Sequence, residues 1–170
     1  MFSPASVHLL VLGLFFGLLA VAVLTDVETL RIPNRLCLAL VAIYPAYLLA
    51  SPIAVDWPGA LLLATAVFAT GLGAFAAGWM GGGDVKLMAA TALWVGPGSF
   101  SLFVLVTAVV GGLISLLMLS GLRFTVAQAV EAAGFADIRD VILGRSIPYG
   151  VAIAAGGWAA GWRMLMHAGG

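Results

Sequence analysis

The chain has 170 residues, of which 64% are hydrophobic and only 8% charged, and its mean hydropathy is +1.19. Soluble domains carry about 25% charged residues, so the composition excludes a soluble globular protein and describes one built for a bilayer. Seven basic residues balance seven acidic ones, giving a formal charge of zero and no basic field of the kind that recruits nucleic acid.

Apolar runs broken by charge, Pro and Gly predict six helical spans, near residues 5–25, 35–51, 59–79, 85–98, 100–121 and 148–167. A run of about 20 residues crosses a hydrocarbon core roughly 30 Å thick; five of the runs meet that length and the fourth is short, as a re-entrant segment would be. The first run has no Lys or Arg ahead of it and is longer than the core of a secretory signal, so it reads as a retained span rather than a cleaved leader. The stretch from about Arg123 to Ile147 is the most polar, yet Phe124, Val126 and Val130, then Phe135, Ile138, Val141 and Ile142, are spaced for short interfacial helices. Its acids, Glu131, Asp137 and Asp140, read as solvated. No internal repeat or second soluble domain interrupts residues 1–170, which are expected to form a single integral-membrane domain.

The basic residues decide the topology. With six spans, Arg31, Arg35, Lys86, Arg123, Arg139 and Arg145 share one side and only Arg163 faces the other. A re-entrant fourth segment would split them four against three. The six-span arrangement is therefore expected, multi-pass in the cytoplasmic (inner) membrane, with both termini outside.

Two acids then stand out. Asp26 follows the first span in the segment Thr25 to Asn34, and Asp84 follows Gly81-Gly82-Gly83 at the mouth of the fourth. An acid at the centre of a membrane helix costs about 2.5–3.5 kcal/mol on insertion scales, and both fall on the cytoplasmic side, so a functional pair is the natural reading. Two carboxylates sharing a proton can hydrolyse a peptide bond: the ionised one draws a proton from water while the protonated one donates to the carbonyl. Such a pair titrates as a unit and needs neither metal nor cofactor. The three glycines permit unusual backbone angles and close approach of an extended substrate backbone. Pro33 ends the first segment, and Asn34 is placed to hydrogen-bond the exposed backbone where the second span begins.

Among the other residues, Cys37 reads as a small buried hydrophobe, since a lone cysteine makes no internal disulfide or cysteine-based zinc site. Lys86 is two positions from Asp84, on another helical face, and is expected to snorkel to phosphates. Glu28 reads first as a solvated acid, with a contact to a basic substrate segment as its functional alternative. His8 and His167 fall toward the outside, away from the aspartates. Trp79, Trp94, Trp158 and Trp162 read as interface anchors or packing. Tyr149 lies near the cytoplasmic end and is placed to line a cleft.

These residues resemble the type IV prepilin peptidases, particularly the short CpaA/TadV-like members that process Flp-type prepilins. The resemblance rests on the Asp26 segment ending Arg31-Ile32-Pro33-Asn34, the Gly-x-Gly-Asp box Gly81-Gly82-Gly83-Asp84 continuing Val85-Lys86-Leu87, and Ile147-Pro148-Tyr149-Gly150 opening the last span. It implies a polytopic, all-α aspartyl endopeptidase that removes a short basic leader from a prepilin at the cytoplasmic membrane face. Asp26 and Asp84 would be the catalytic pair, with Gly81, Gly82, Gly83, Glu28 and Tyr149 toward the substrate. Prepilin, the lipid bilayer and the pilus-assembly machinery are the implied partners. Larger members also methylate the new terminus and carry a cysteine-rich insertion; this chain has Cys37 alone, so methyltransferase activity is not expected. Two rivals remain from the residues themselves: a small ion or proton carrier using the same acids, and a noncatalytic assembly factor that binds pilin without cutting it.

Overall fold

The computed structural model describes residues 4–144 and 147–168, and these residues are all-α, with no strand among them. The helices are α1 (Pro4–Thr29), α2 (Asn34–Ala50), α3 (Trp57–Ala76), α4 (Gly82–Leu119), α5 (Leu122–Ala132), α6 (Ala136–Leu143) and α7 (Tyr149–Ala168). Arg145 lies outside the described residues, as do the side chains of Asp137, Asp140 and His167.

Helix ends follow local chemistry. Helix α1 runs past its apolar stretch and closes where Leu30, a non-glycine residue, takes a left-handed φ of 53°, with its N–H donating to the Asp26 carbonyl at 2.9 Å. Pro33 is extended and precedes α2. The α2 terminus has no side-chain cap: Asn34, expected to satisfy that backbone, instead accepts a hydrogen bond from Lys86 Nζ at 2.9 Å. Helix α3 begins on Asp56, whose carboxylate accepts from the Gly59 N–H at 3.0 Å, with Pro58 in the first turn.

Helix α4 contains the decisive turn. Straight, its 38 residues would reach about 57 Å, nearly twice the hydrocarbon thickness. It is broken at Gly96, where φ is 63° and ψ 176°, immediately before Pro97, which has no N–H to continue the ladder. Thr91 and Phe103 would be about 18 Å apart along a straight helix. Both nevertheless reach adjacent residues of α7: a Cβ on Gly157 would lie 2.8 Å from Thr91 Cγ2, and one on Gly156 would lie 2.6 Å from the Phe103 carbonyl. The chain therefore folds back at Gly96, and the short fourth segment and the fifth are two arms of α4, residues 82–95 and 97–119.

The remaining contacts set direction. Along α1 and α7, Asp26 meets Gly150, Leu19 meets Gly157 and Phe16 meets Gly161, an antiparallel pairing. Phe75 meets Gly82, Gly71 meets Val85 and Ala60 meets Gly96, so α3 opposes the first arm of α4. Helix α2 runs parallel to that arm, tied by Lys86 to Asn34 and by Trp94 Nε1, which donates to the Leu40 carbonyl at 2.8 Å. Six apolar segments thus alternate in direction, and α1, α3 and α4 are long and apolar enough to cross a membrane. Helices α5 and α6 form a hairpin through Gly134 (φ 91°), fastened by the Arg139–Glu131 ion pair at 2.9 Å, while Leu122, Phe124 and Phe135 stay exposed.

Trp94 centres the core, fully buried and stacked on Phe15 at 4.7 Å between ring centroids. It reads as packing rather than an interface anchor, whereas Trp79 and Trp162 are exposed. Small residues let α7 approach its neighbours without a hydrophobic force from lipid to drive it. A Cβ at Gly156 would overlap Thr107 Oγ1 and press on the Phe103 backbone carbonyl, which cannot yield as a side chain can. Gly156→Ala is expected to destabilise the fold by about 1–3 kcal/mol, measurable as a shifted unfolding midpoint in detergent.

Candidate active site

Because α1 continues to Thr29, Asp26 sits on its last turn, facing inward, and is only 4% exposed. Its Oδ2 accepts the Gly150 N–H at 2.7 Å, with the Val151 amide next to it. These N–H groups belong to the first turn of α7, where no intrahelical acceptor is available and the helix dipole favours an anion. Asp26 thus caps α7 from another helix, and a contact spanning 124 positions fixes the carboxylate. Asp84 lies in the first turn of α4 and is half-buried.

Both carboxylates line one cleft of about 1070 Å³ at the end of the bundle where α1 stops and α4 and α7 start. Tyr149, Trp79, Ile147 and the connection from Leu30 to Asn34 complete its walls. Leu30 therefore places its left-handed backbone, a conformation that costs a non-glycine residue about 1–3 kcal/mol, at the rim.

Gly81, Gly82 and Gly83 also line the cleft, without the unusual backbone angles expected of them. None has a positive φ; among the described glycines that is found at Gly78, Gly96 and Gly134. Space is tight at Gly81 and Gly83, while Gly82 has its neighbour at ordinary contact distance. A Cβ at Gly81 would lie 2.8 Å from Asp84 Oδ2, one at Gly82 would lie 3.4 Å from the Phe75 ring, and one at Gly83 would lie 3.2 Å from Ile32 Cβ. The glycine run lets α4 start against α3 and the Ile32 segment while leaving the Asp84 carboxylate room to fold back over the turn.

Tyr149 lines the cleft together with the aspartates. Glu28 does not: it is exposed, two positions round the helix from Asp26. Lys86 points to Asn34 rather than into the site. Gly150 was missed by sequence reasoning, although it stands directly after Pro148-Tyr149, where a helix start leaves donors unpaired. Among the described residues no group of three His, Cys, Asp or Glu side chains is assembled for a metal ion.

A model of the type IV leader peptidase family matches residues 13–116, more than half of the chain and a stretch that contains Asp26 and Asp84. The chain belongs to that family. It is a membrane-embedded peptidase of the prepilin-leader kind, and its substrate class is prepilin. No curated protein and no solved structure matches it. Tyr149 and Gly150, which the leader peptidase uses to complete the cleft and hold Asp26, lie beyond the matched stretch.

Proposed function

We propose that this leader peptidase is an aspartyl endopeptidase of the short CpaA/TadV-like kind, cutting the leader from Flp-type prepilins at the cytoplasmic face of the inner membrane, with Asp26 and Asp84 as the catalytic pair. The observation that carries the reading is that the two carboxylates, from different helices, share one cleft at one end of the bundle. A proton carrier would need acids spaced along a path rather than gathered at one end.

The chemistry is a direct attack by water. The ionised carboxylate takes a proton from water as its oxygen adds to the scissile carbonyl, and the protonated carboxyl donates to the carbonyl oxygen. Collapse of the tetrahedral adduct passes a proton to the leaving amine and restores the pair. A backbone amide serves each carboxylate, Gly150 on Asp26 and Gly81 on Asp84, so the base and proton-donating roles belong to the pair. Tyr149 and Trp79, which line the cleft, would flank the extended leader, and Glu28, exposed outside the cleft, would meet its basic residues.

Sidedness follows from charge. Arg31 and Asn34 line the aspartate cleft and Lys86 joins Asn34 there, whereas Arg163 lines a cavity at the far end. With six segments crossing the bilayer, the positive-inside bias puts the aspartates at the cytoplasm. Tags at the N-terminus, near Asp56 and at the C-terminus are expected to be extracytoplasmic, and tags near Arg31, Gly82 and Asp137 cytoplasmic. Labelling that put Asp26 and Asp84 on opposite faces would sink the paired mechanism.

The functional test is co-expression with a Flp-type prepilin, read by gel mobility. Appearance of a shorter pilin is the expected outcome. Stable binding of the prepilin without shortening would make the protein an assembly factor instead.

A further inference from the structure

A groove of about 510 Å³ runs beside the aspartate cleft, walled by α2 and α3 and floored by Ala89 and Ala90 of the first arm of α4. Helices α2 and α3 each pack on that arm and hardly at all on each other. They are joined through residues 51–56 at the end away from the aspartates, so the groove is free to open toward the cleft. Its walls carry Leu38 and Val41 on one side and Leu61 and Phe68 on the other, all four exposed.

Groove and cleft are continuous. Asn34 lines both, and Lys86, whose Nζ donates to Asn34 at 2.9 Å, is the one charged residue of the groove. Along the axis of α4 the groove starts about 3 Å past Asp84, at Lys86, and reaches Leu93 about 10 Å further on, two helical turns. Beyond Asn34 and Lys86 its surface is apolar: the floor is alanine, and the Thr65 hydroxyl donates to the Leu61 carbonyl of its own helix at 2.8 Å. A surface that is polar at the cleft and apolar for two turns beyond it fits a chain that is extended where it is cut and an apolar helix directly afterwards. Inside a bilayer, helices associate by close packing rather than by hydrophobic force, and small residues on one face permit that approach.

We propose that the groove between α2 and α3 seats the first two turns of the prepilin's apolar helix, so that the junction before that helix enters the aspartate cleft past Asn34. The inference rests on the prepilin reading of the cleft and adds where the uncut part of the substrate sits. The helix would enter sideways from the bilayer, with no opening of the bundle, and its seat would fix how far the scissile bond lies from the apolar segment.

Photo-crosslinking of the full-length protein in membranes, with a Flp-type prepilin co-expressed, tests this. p-Benzoylphenylalanine replaces Leu38 or Thr65 on the groove, and Leu105 or Leu113 as exposed positions outside it. Pilin adducts from the groove positions are expected to exceed those from the other two at least fivefold and to map to the first two turns of the apolar helix. Thr65→Trp, which fills the groove from an exposed position, is expected to raise KM for prepilin at least fivefold while kcat changes less than twofold, the signature of lost uniform binding. Equal adducts at all four positions, or none at the groove, would overturn the inference, as would an unchanged KM in folded Thr65→Trp. Whether the wild type shortens the prepilin is read separately: groove adducts without shortening would keep the seat and overturn the cutting reading instead.

Discussion

Asp26→Asn and Asp84→Asn are each expected to lower leader cleavage by about 10²–10⁴-fold, the range that a positioned acid or base contributes. The double variant should be no worse than the more damaged single one, because groups acting as a unit are non-additive. Insertion into the membrane should survive: Asn is nearly isosteric, and its side-chain oxygen can still accept from the Gly150 N–H at the Asp26 position. Turnover by purified protein at saturating prepilin, alongside a protease-protection check of topology, separates loss of chemistry from loss of fold. Near-wild-type turnover in either single variant would require a different catalytic pair.

Gly150→Ala is expected to cost nearly as much, although it removes no ionisable group. A Cβ there would lie 2.7 Å from Asp26 Oδ2 and 3.0 Å from its Cγ, so the carboxylate must leave the N-terminus of α7 and give up its 2.7 Å hydrogen bond. Displacement of a catalytic group by about 1 Å can cost 10²-fold in rate. The loss should appear in kcat rather than KM, since the walls that receive the leader are untouched. Gly112→Ala is the matched control, because a Cβ at that position meets nothing within 4 Å. Equal activity in the two variants would remove Gly150 from the positioning of Asp26.

Much of this arrangement was legible in the chain, for identifiable reasons. Hydropathy and punctuation set the helical segments to within a few residues, and the spacing of apolar residues from Phe124 to Ile142 foretold two short helices, though not their hairpin. The immediate succession of the fourth and fifth segments was legible, but the break falls at Gly96-Pro97, a few residues before the expected boundary, and both arms then meet α7 at Gly156 and Gly157. The cleft glycines were found, but the unusual backbone angles expected of them are absent. The nearness of Ile32 and Phe75 to them is announced by no local pattern. Asn34 was read as a cap because its type favours caps, and it lost that role to a Lys86 reaching it from α4. The anchoring of Asp26 by Gly150 was the least legible, since it pairs opposite ends of the chain and uses a backbone amide rather than a side chain.

Intact-mass analysis of a Flp-type prepilin after incubation with the purified protein in lipid reports most directly whether Asp26 and Asp84 act together on the leader. The wild type should yield one product beginning at the junction between the basic leader and the apolar pilin helix, where the extended backbone can enter the cleft. Neither Asn variant should yield it. A cut inside the apolar helix, or the same product from a variant lacking either carboxylate, would contradict the paired-aspartate site.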